Sequence, residues 1–334
     1  MLRCGRTLRR RRPTNPANRS KRAGCRSHRN DPIGFGYRTQ DPPHRLSGPQ
    51  EVGSATLLVP VSESARTADA TGGQSPDLLR KGVVAWLAEL GERALEIRNC
   101  YDDDAYADAY AKLEFPGTYY LAFRDLPQII KQCANDGRAL DFGCGAGRST
   151  RFLNRLGFTT VGVDIAGEML QRARSIDPEG EYQQIEDGNL SAFADGSFDL
   201  VLSAFTFDNI ATRQKKVALF REFARVLKAG GRALNLVSAP EIYTHEWASF
   251  STRDFPENRR ARCGDEVRIV VTALEDRRPA VDVLWPDEDY RDVYAQAGLA
   301  VIEVHRPLGV AGEPYEWISE SEIAPWVIYV LRRA

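Results

Sequence analysis

Short apolar runs and turn residues alternate along the second half of the chain in the order typical of an α/β sheet. The first run ends at Asp141 and is followed by a glycine-rich turn and by apolar positions at helical spacing over residues 148–156. These features predict a strand, a tight turn and a helix, the first unit of a parallel sheet. Further predicted strands cover residues 158–163, 182–185, 198–203, 233–237, 299–304 and 326–331. Further predicted helices cover residues 76–99, 121–133, 215–227 and 287–298.

The turn after the first strand carries three glycines on alternate positions within residues 143–147. Glycine lets the backbone turn sharply and approach a ligand that a Cβ atom would push away, and the amides that open the next helix point at the same place. The spacing differs from the Gly-x-Gly-x-x-Gly turn of a dinucleotide site, because Arg148 and Thr150 stand where its last glycine would be. Asp141 repels phosphate and attracts a cation, so the pattern favours a positively charged ligand.

Three ordered motifs carry a resemblance to a known family. Asp141 begins an Asp-x-Gly-x-Gly-x-Gly turn, Val161-Gly162-Val163-Asp164 ends the second predicted strand, and Phe198-Asp199-Leu200-Val201-Leu202 lies in the fourth. With these motifs the chain resembles the class I S-adenosylmethionine-dependent methyltransferases, over roughly residues 100–334. The resemblance implies a Rossmann-like sheet of seven mostly parallel strands with helices on both faces. It also implies that the carboxyl edge of this sheet binds the sulfonium donor S-adenosylmethionine.

Acidic residues at the ends of successive strands are the expected donor ligands. Asp141 and the glycine turn would hold the methionine end, and Asp164 is placed to accept two hydrogen bonds from a ribose diol. The resemblance puts Asp187 opposite the adenine amino group, although Asp187 and Gly188 are also typical turn residues. The full set of predicted donor contacts is Asp141, Gly143, Cys144, Gly145, Gly147, Asp164, Ile165, Asp187, Gly188 and Ser203.

Candidates for acceptor chemistry follow the fourth and fifth predicted strands. Asp208 can orient or deprotonate an acceptor, or it can cap the helix predicted over residues 215–227. His245, in a polar and aromatic stretch, is a second candidate for catalysis. The Asn/Asp-Pro-Pro-Tyr/Phe and Pro-Cys motifs of related nucleobase methylases are absent. Aromatic residues proposed to line the acceptor site, with half-buried packing as the alternative, are Tyr110, Tyr119, Tyr243, Trp247 and Trp317.

Domain organisation follows from changes in composition. Residues 1–75 are expected to be a disordered basic leader and linker, and residues 76–136 a helical lid. Residues 137–334 form the predicted donor-binding domain, with an insertion at about residues 239–286. Two runs in that insertion predict a hairpin, residues 267–274 with 281–284. An insertion at the ligand edge of the sheet is where acceptor specificity would be built.

The net charge of −1 hides a strong asymmetry along the chain. Residues 1–50 hold 13 Lys and Arg and 2 acidic residues, whereas the remainder holds 32 basic and 44 acidic residues. The acidic remainder disfavours a broad nucleic-acid surface. The basic leader has three interpretations: a start site placed too far upstream, a dispensable tail, or a targeting or nucleic-acid-binding segment.

Cysteine and hydropathy patterns exclude several other classes. The six cysteines form no Cys-x-x-Cys pair and there are only four histidines, so neither a metal site nor a disulfide framework is indicated. No apolar run approaches the roughly 18 residues of a membrane-spanning helix. We therefore expect a cytoplasmic monomer or homodimer that methylates an oxygen, nitrogen or carbon atom of a small molecule. The alternatives are a tRNA or protein methyltransferase that docks through the leader, and a donor-binding protein without catalysis.

Overall fold

The computed structural model describes residues 115–134 and 136–334. The expected leader, the helix predicted over residues 76–99 and the candidate Tyr110 lie outside the described residues. Within the described part of the chain, the helices are too short or too polar to cross a membrane.

In chain order the strands of the described residues are β1 (Gly137–Phe142), β2 (Phe158–Asp164), β3 (Glu181–Gln184), β4 (Phe198–Ala204), β5 (Leu227–Ser238), β6 (Phe250–Ser251), β7 (Glu266–Val271), β8 (Ala280–Val283), β9 (Leu299–His305) and β10 (Trp326–Arg333). Seven of them form one mixed sheet in the order β3-β2-β1-β4-β5-β10-β9. Strands β1 to β5 of this sheet run parallel, and β10 lies antiparallel to both β5 and β9. The expectation of a Rossmann-like, mostly parallel seven-stranded sheet is confirmed. The strand order reverses between β1 and β4, and ligands of open α/β sheets bind at such a point.

Helices cover both faces of the sheet. They are α1 (Thr118–Arg124), α2 (Leu126–Cys133), α3 (Arg148–Arg155), α4 (Gly167–Ile176), α5 (Arg213–Val226) and α6 (Asp287–Gln296). Side chains alternate between the two faces along each strand. Leu200 and Leu202 of β4 therefore join an apolar layer that contains α1, α2 and α3, whereas Val201 joins the layer that contains α5 and α6.

Two predicted boundaries are wrong for identifiable reasons. The single helix predicted over residues 121–133 is two helices separated at Asp125, because Pro127 has no N–H to continue the first helix and fits only the opening turn of the second. Residues 228–232, between the helix predicted over residues 215–227 and the strand predicted over residues 233–237, lie inside β5, where Leu227 pairs with Phe198 while Arg232 pairs with Leu200. The extra residues form an irregularity of the β-bulge kind, so β5 begins six residues before the predicted position.

The segment after β5 forms a small antiparallel sheet in the order β6-β7-β8. The register of β7 and β8 runs from Glu266 opposite Val283 to Ile269 opposite Ala280, which confirms the predicted hairpin. Val267, Ile269 and Val271 alternate along β7 and are buried in the same apolar layer as α1 and β10. This packing holds the inserted segment against α1 and β10.

Candidate functional site

The glycine loop between β1 and α3 is held against β2 by its own backbone. The N–H groups of Gly143 and Cys144 donate to the Val163 carbonyl at 2.8 and 3.0 Å. A Cβ atom on Gly143 would overlap the Thr206 side chain, whereas one on Gly145 would meet only the Met169 Cε atom, at 3.3 Å. Gly145 is thus the position where the loop backbone faces open space, as a close ligand contact requires.

Asp141 lies fully buried beneath this loop. Its Oδ2 atom accepts hydrogen bonds from Ser149 Oγ at 2.7 Å and Thr150 Oγ1 at 2.6 Å, both in the first turn of α3. Burial raises the pKa of Asp141 to about 6. Its Oδ1 atom has no hydrogen-bond partner among the described residues. Buried acceptors are almost always satisfied, so this oxygen fits a ligand group that donates hydrogen bonds or carries positive charge.

Asp164 joins the end of β2 to the glycine loop. Its Oδ2 atom accepts from the Gly145 N–H at 2.7 Å, and its Oδ1 atom accepts from the Ala166 N–H at 2.9 Å. Each carboxylate oxygen keeps a second lone pair, so the group still has capacity for a diol. Ile165 follows with 54% of its surface exposed, which leaves an apolar side chain open beside the carboxylate. The structure thus brings Asp141, Gly145, Asp164 and Ile165 together at one edge.

The remaining donor candidates lie around the same edge with different degrees of exposure. Asp187 and Gly188 both adopt positive φ, as a turn requires, and the exposed Asp187 carboxylate pairs with Lys215. Ser203 is fully buried beside Phe142 of β1, and its hydroxyl has no partner among the described residues. Cys144 is buried, and burial raises the pKa of its thiol well above the ordinary value.

Asp208 is enclosed at the carboxyl ends of β4 and β5. Its carboxylate accepts from Ser238 N at 3.1 Å and from Ser238 Oγ at 2.9 Å. The alternative capping role is wrong, because Thr212 caps α5 by accepting from the Lys215 N–H at 3.2 Å. Burial, together with the charge of Asp282, raises the pKa of Asp208 to about 7.

Asp208 belongs to a buried charge cluster, which we define as Asp208, Lys216, Tyr243 and Asp282. The Lys216 ammonium donates to the Phe207 carbonyl, and burial lowers its pKa to about 7. The Tyr243 hydroxyl donates to Asp282 Oδ2 at 3.0 Å, and burial raises the pKa of Asp282 to about 6. The cluster therefore joins the main sheet to β8 of the insertion.

Sequence reasoning missed two members of this cluster, and both left a signal. Lys216 lies four and seven residues before Phe220 and Phe223, so helical spacing puts it on the apolar face of α5. Asp282 interrupts the apolar run of the predicted hairpin strand. A charged residue on an apolar face is a candidate for a paired, buried group.

Aromatic side chains fill the space between the glycine loop and the insertion. Tyr119 of α1 is buried, with its ring centroid 5.7 Å from Phe205, 5.0 Å from Phe250 and 5.7 Å from Trp326. The Arg148 guanidinium lies 5.2 Å from the Tyr119 centroid. Phe205 has a φ of 65°, a conformation that is costly for a bulky residue and often found at functional sites. Neither Phe205 nor Arg148 was among the predicted site residues.

The other acceptor candidates occupy separate surroundings. Trp247 is buried and donates its Nε1–H to the Ile242 carbonyl at 2.8 Å. Trp317 packs against Tyr120 and Tyr315 and donates to Glu313 Oε2 at 3.1 Å. Tyr243, as described above, is enclosed in the buried charge cluster. His245 is half-buried in the insertion. Roles for these four residues stay predictions.

Comparisons with known proteins agree with this geometry. A family model described as a methyltransferase domain matches residues 140–235, from β1 into β5. Demethylmenaquinone methyltransferase of Tropheryma whipplei is 39% identical over 95 residues, which cover 28% of this chain and 38% of that protein. The probable tRNA methyltransferase 9B of Homo sapiens is 31% identical over 147 residues, 43% of this chain and 29% of that protein.

The likeness also extends to solved structures. An S-adenosylmethionine-dependent methyltransferase from Mesorhizobium loti is 21% identical, covers 63% of this chain and 97% of its own, and superposes with a TM-score of 0.46. The chain spans well under half of the length of the two curated relatives.

The strand order and the glycine loop at the reversal of that order define a Rossmann-like ligand-binding domain. Residues 140–235 match the methyltransferase-domain family model, and the strand order around them supports a class I S-adenosylmethionine-dependent methyltransferase domain in this part of the chain. S-adenosylmethionine is the cofactor that this domain implies. The unpartnered Asp141 oxygen, the open face of Gly145 and the exposed Ile165 fit a cationic, partly apolar donor of this kind.

Proposed function

We propose that this protein transfers the methyl group of S-adenosylmethionine to a small organic acceptor. The observation that carries the proposal is the donor edge, where Asp141, Gly145 and Asp164 converge at the reversal of strand order. Asp141 would hold the methionine end and Asp164 the ribose, with Asp187 and Ile165 beside the adenine. When bound, S-adenosylmethionine supplies a methyl group activated by its sulfonium, which an atom of the acceptor attacks.

The protein's own contribution is mainly to position the donor and to exclude water. Aligning two reactants in a closed site supplies a large part of the rate enhancement for such a transfer. Tyr119, Phe205 and Trp326 pack together just beyond the end of β4, and we assign this aromatic cluster the role of excluding water from the donor edge. Asp208 is enclosed, and we assign it a positioning role through Ser238 at the end of β5. His245, which is half-buried, is the candidate for accepting a proton from the acceptor.

A small molecule is favoured as the acceptor for two reasons. Residues 51–334 carry an excess of acidic over basic groups, which opposes a nucleic-acid groove. The demethylmenaquinone relative, by its name, acts on a small molecule. Another relative is named as a probable tRNA methyltransferase, so tRNA is the second acceptor to be tested.

The donor site is tested by calorimetric titration of S-adenosylmethionine and S-adenosylhomocysteine into the full chain and its Asp164→Ala variant. We expect micromolar binding that the substitution weakens by at least tenfold, about 1.4 kcal/mol. Glu179→Gln, which removes an exposed acid outside the site, is the matched control and should bind as the wild type does. Absence of binding to a folded wild-type chain would overturn the proposal.

The acceptor class is tested with S-adenosylmethionine that carries a radiolabelled methyl group. The full chain is incubated separately with a small-molecule cell extract and with purified tRNA. Label in the small-molecule fraction is the expected result. Label in tRNA alone would replace the small-molecule acceptor by tRNA, and label in neither fraction, with donor binding intact, would favour a donor-binding protein without catalysis.

A further inference from the structure

A cleft of about 450 Å³ opens within the inserted segment, away from the glycine loop. Its walls include His245, Glu246, Arg253, Phe255, Arg259 and Ser319. Ser319 precedes Glu320, a fully buried carboxylate that accepts from Thr118 Oγ1 at 2.7 Å and from Ala248 N at 2.8 Å. The cleft therefore lies where the insertion and the loop before β10 meet, one residue from a contact with α1.

The charges that line this cleft are unbalanced. Glu246 accepts from Ser251 Oγ and Thr252 N, both at 2.8 Å, and these bonds together with Arg253 lower its pKa. The nearest Arg253 nitrogen lies 3.8 Å from Glu246 Oε2, so these two charges largely offset each other. Arg259 has no hydrogen-bond or ion-pair partner among the described residues, and its positive charge is therefore uncompensated in the cleft wall.

His245 adds a polar atom to the same wall. Its Nδ1 atom lies 3.0 Å from both the Glu241 carbonyl and the Thr244 hydroxyl, whereas its Nε2 atom has no partner among the described residues. Phe255 and Pro256 supply an apolar surface next to these polar groups. The lining thus combines an apolar wall with a guanidinium that can bind a carboxylate or phosphate through two hydrogen bonds.

We propose that this cleft binds a small organic anion, with an apolar body against Phe255 and Pro256 and its acidic group on Arg259. His245 follows the end of β5 by seven residues, so the cleft is built by the inserted segment and not by the residues of the donor edge.

Binding is tested on the full chain saturated with S-adenosylhomocysteine, with benzoate, phenyl phosphate and the neutral benzamide as probes. We expect at least one anion to bind and benzamide to bind at least tenfold more weakly. Arg259→Gln should weaken the anion at least tenfold, whereas Arg260→Gln, an exposed neighbour outside the cleft wall, should leave it unchanged. Benzoate and phenyl phosphate together distinguish a carboxylate site from a phosphate site.

Several outcomes overturn this inference. They are equal losses in the Arg259 and Arg260 variants, binding of neither anion, and binding of a short single-stranded RNA in place of both. Arg259→Gln should leave the affinity for S-adenosylhomocysteine unchanged, which separates a loss of the anion site from a loss of the folded chain. Failure of S-adenosylhomocysteine to bind the wild type would instead count against the proposed function, independently of the anion result.

Discussion

The glycine-loop region and the buried charge cluster occupy the carboxyl edge of the same sheet and stabilise their carboxylates in different ways. Asp141 and Asp164 accept hydrogen bonds from groups 2 to 19 residues away, within one strand-turn-helix unit and the next strand. Asp208 and Asp282 depend on partners 30 and 39 residues away. The groups that donate hydrogen bonds to Asp141 and Asp164 are neutral, whereas Asp208 and Asp282 share the positive charge of the buried Lys216. The first arrangement is local in sequence, and the second exists only after the insertion has packed.

The largest expected effect concerns the single cation of the buried charge cluster. Lys216→Met should destabilise the folded chain by about 4 kcal/mol at about pH 6.5, where the buried ammonium is still charged, because it removes the counter-charge that the enclosed carboxylates share. It also leaves the Phe207 carbonyl without its donor. The measurement is the free energy of unfolding in urea. A loss below about 1 kcal/mol would mean that the carboxylates do not depend on Lys216.

A second substitution serves as the control for this prediction. Asp208→Asn keeps an oxygen that can accept from Ser238 while it removes one negative charge. Combined with Lys216→Met, it should restore part of the lost stability, since the two side chains are coupled. Simple addition of the two single effects would contradict the coupling.

A carboxylate brought in by the insertion should also shape the pH dependence of stability. The pKa of Asp282 is about 6 in the folded chain, above its ordinary value of 3.8, so the folded state binds this proton more tightly than the unfolded state. Stability from this group is therefore fully present below about pH 4 and is lost as the pH rises to about 6, by roughly 3 kcal/mol. Asp282→Asn should flatten this part of the profile of unfolding free energy against pH. An unchanged slope between pH 4 and 6 would contradict the assignment.

Features that depend on nearby residues could be predicted from the sequence, whereas contacts between distant segments could not. The glycine loop, the carboxylates at the ends of β1 and β2, and all seven strands could be predicted, because each depends on spacing within a few tens of residues. The contact between Asp282 and Tyr243 could not be predicted, because the sequence pattern of a strand does not show which group its polar residue will contact. The conformation of Phe205 is equally hidden, since a positive φ at a non-glycine residue is imposed by packing around it.

A smaller effect distinguishes two glycines of the same loop. Gly143→Ala should cost about 2 kcal/mol of stability, because the new Cβ atom combines positive φ with overlap of Thr206. Gly145→Ala should cost only about 1 kcal/mol, yet weaken S-adenosylhomocysteine binding at least tenfold. Gly298→Ala, which has a similar φ of 75° and no atom near the new Cβ, measures the backbone strain alone. Equal losses of stability at all three glycines would mean that overlap with Thr206 adds nothing to the cost of the Gly143 substitution.

The smallest expected effect tests whether Asp187 is a ligand or only a turn residue. Its carboxylate is 80% exposed and paired with Lys215, so breaking that pair with Lys215→Gln should change stability by less than about 0.5 kcal/mol. Asp187→Asn keeps a residue type that tolerates the observed φ of 44° and removes only the charge. If Asp187 faces the adenine, calorimetry should show donor affinity about threefold weaker for Asp187→Asn and not weaker for Lys215→Gln. Equal affinity in both variants and the wild type would mean that Asp187 is a turn residue and does not contact the donor. The donor would then be recognised by residues at the ends of β1 and β2.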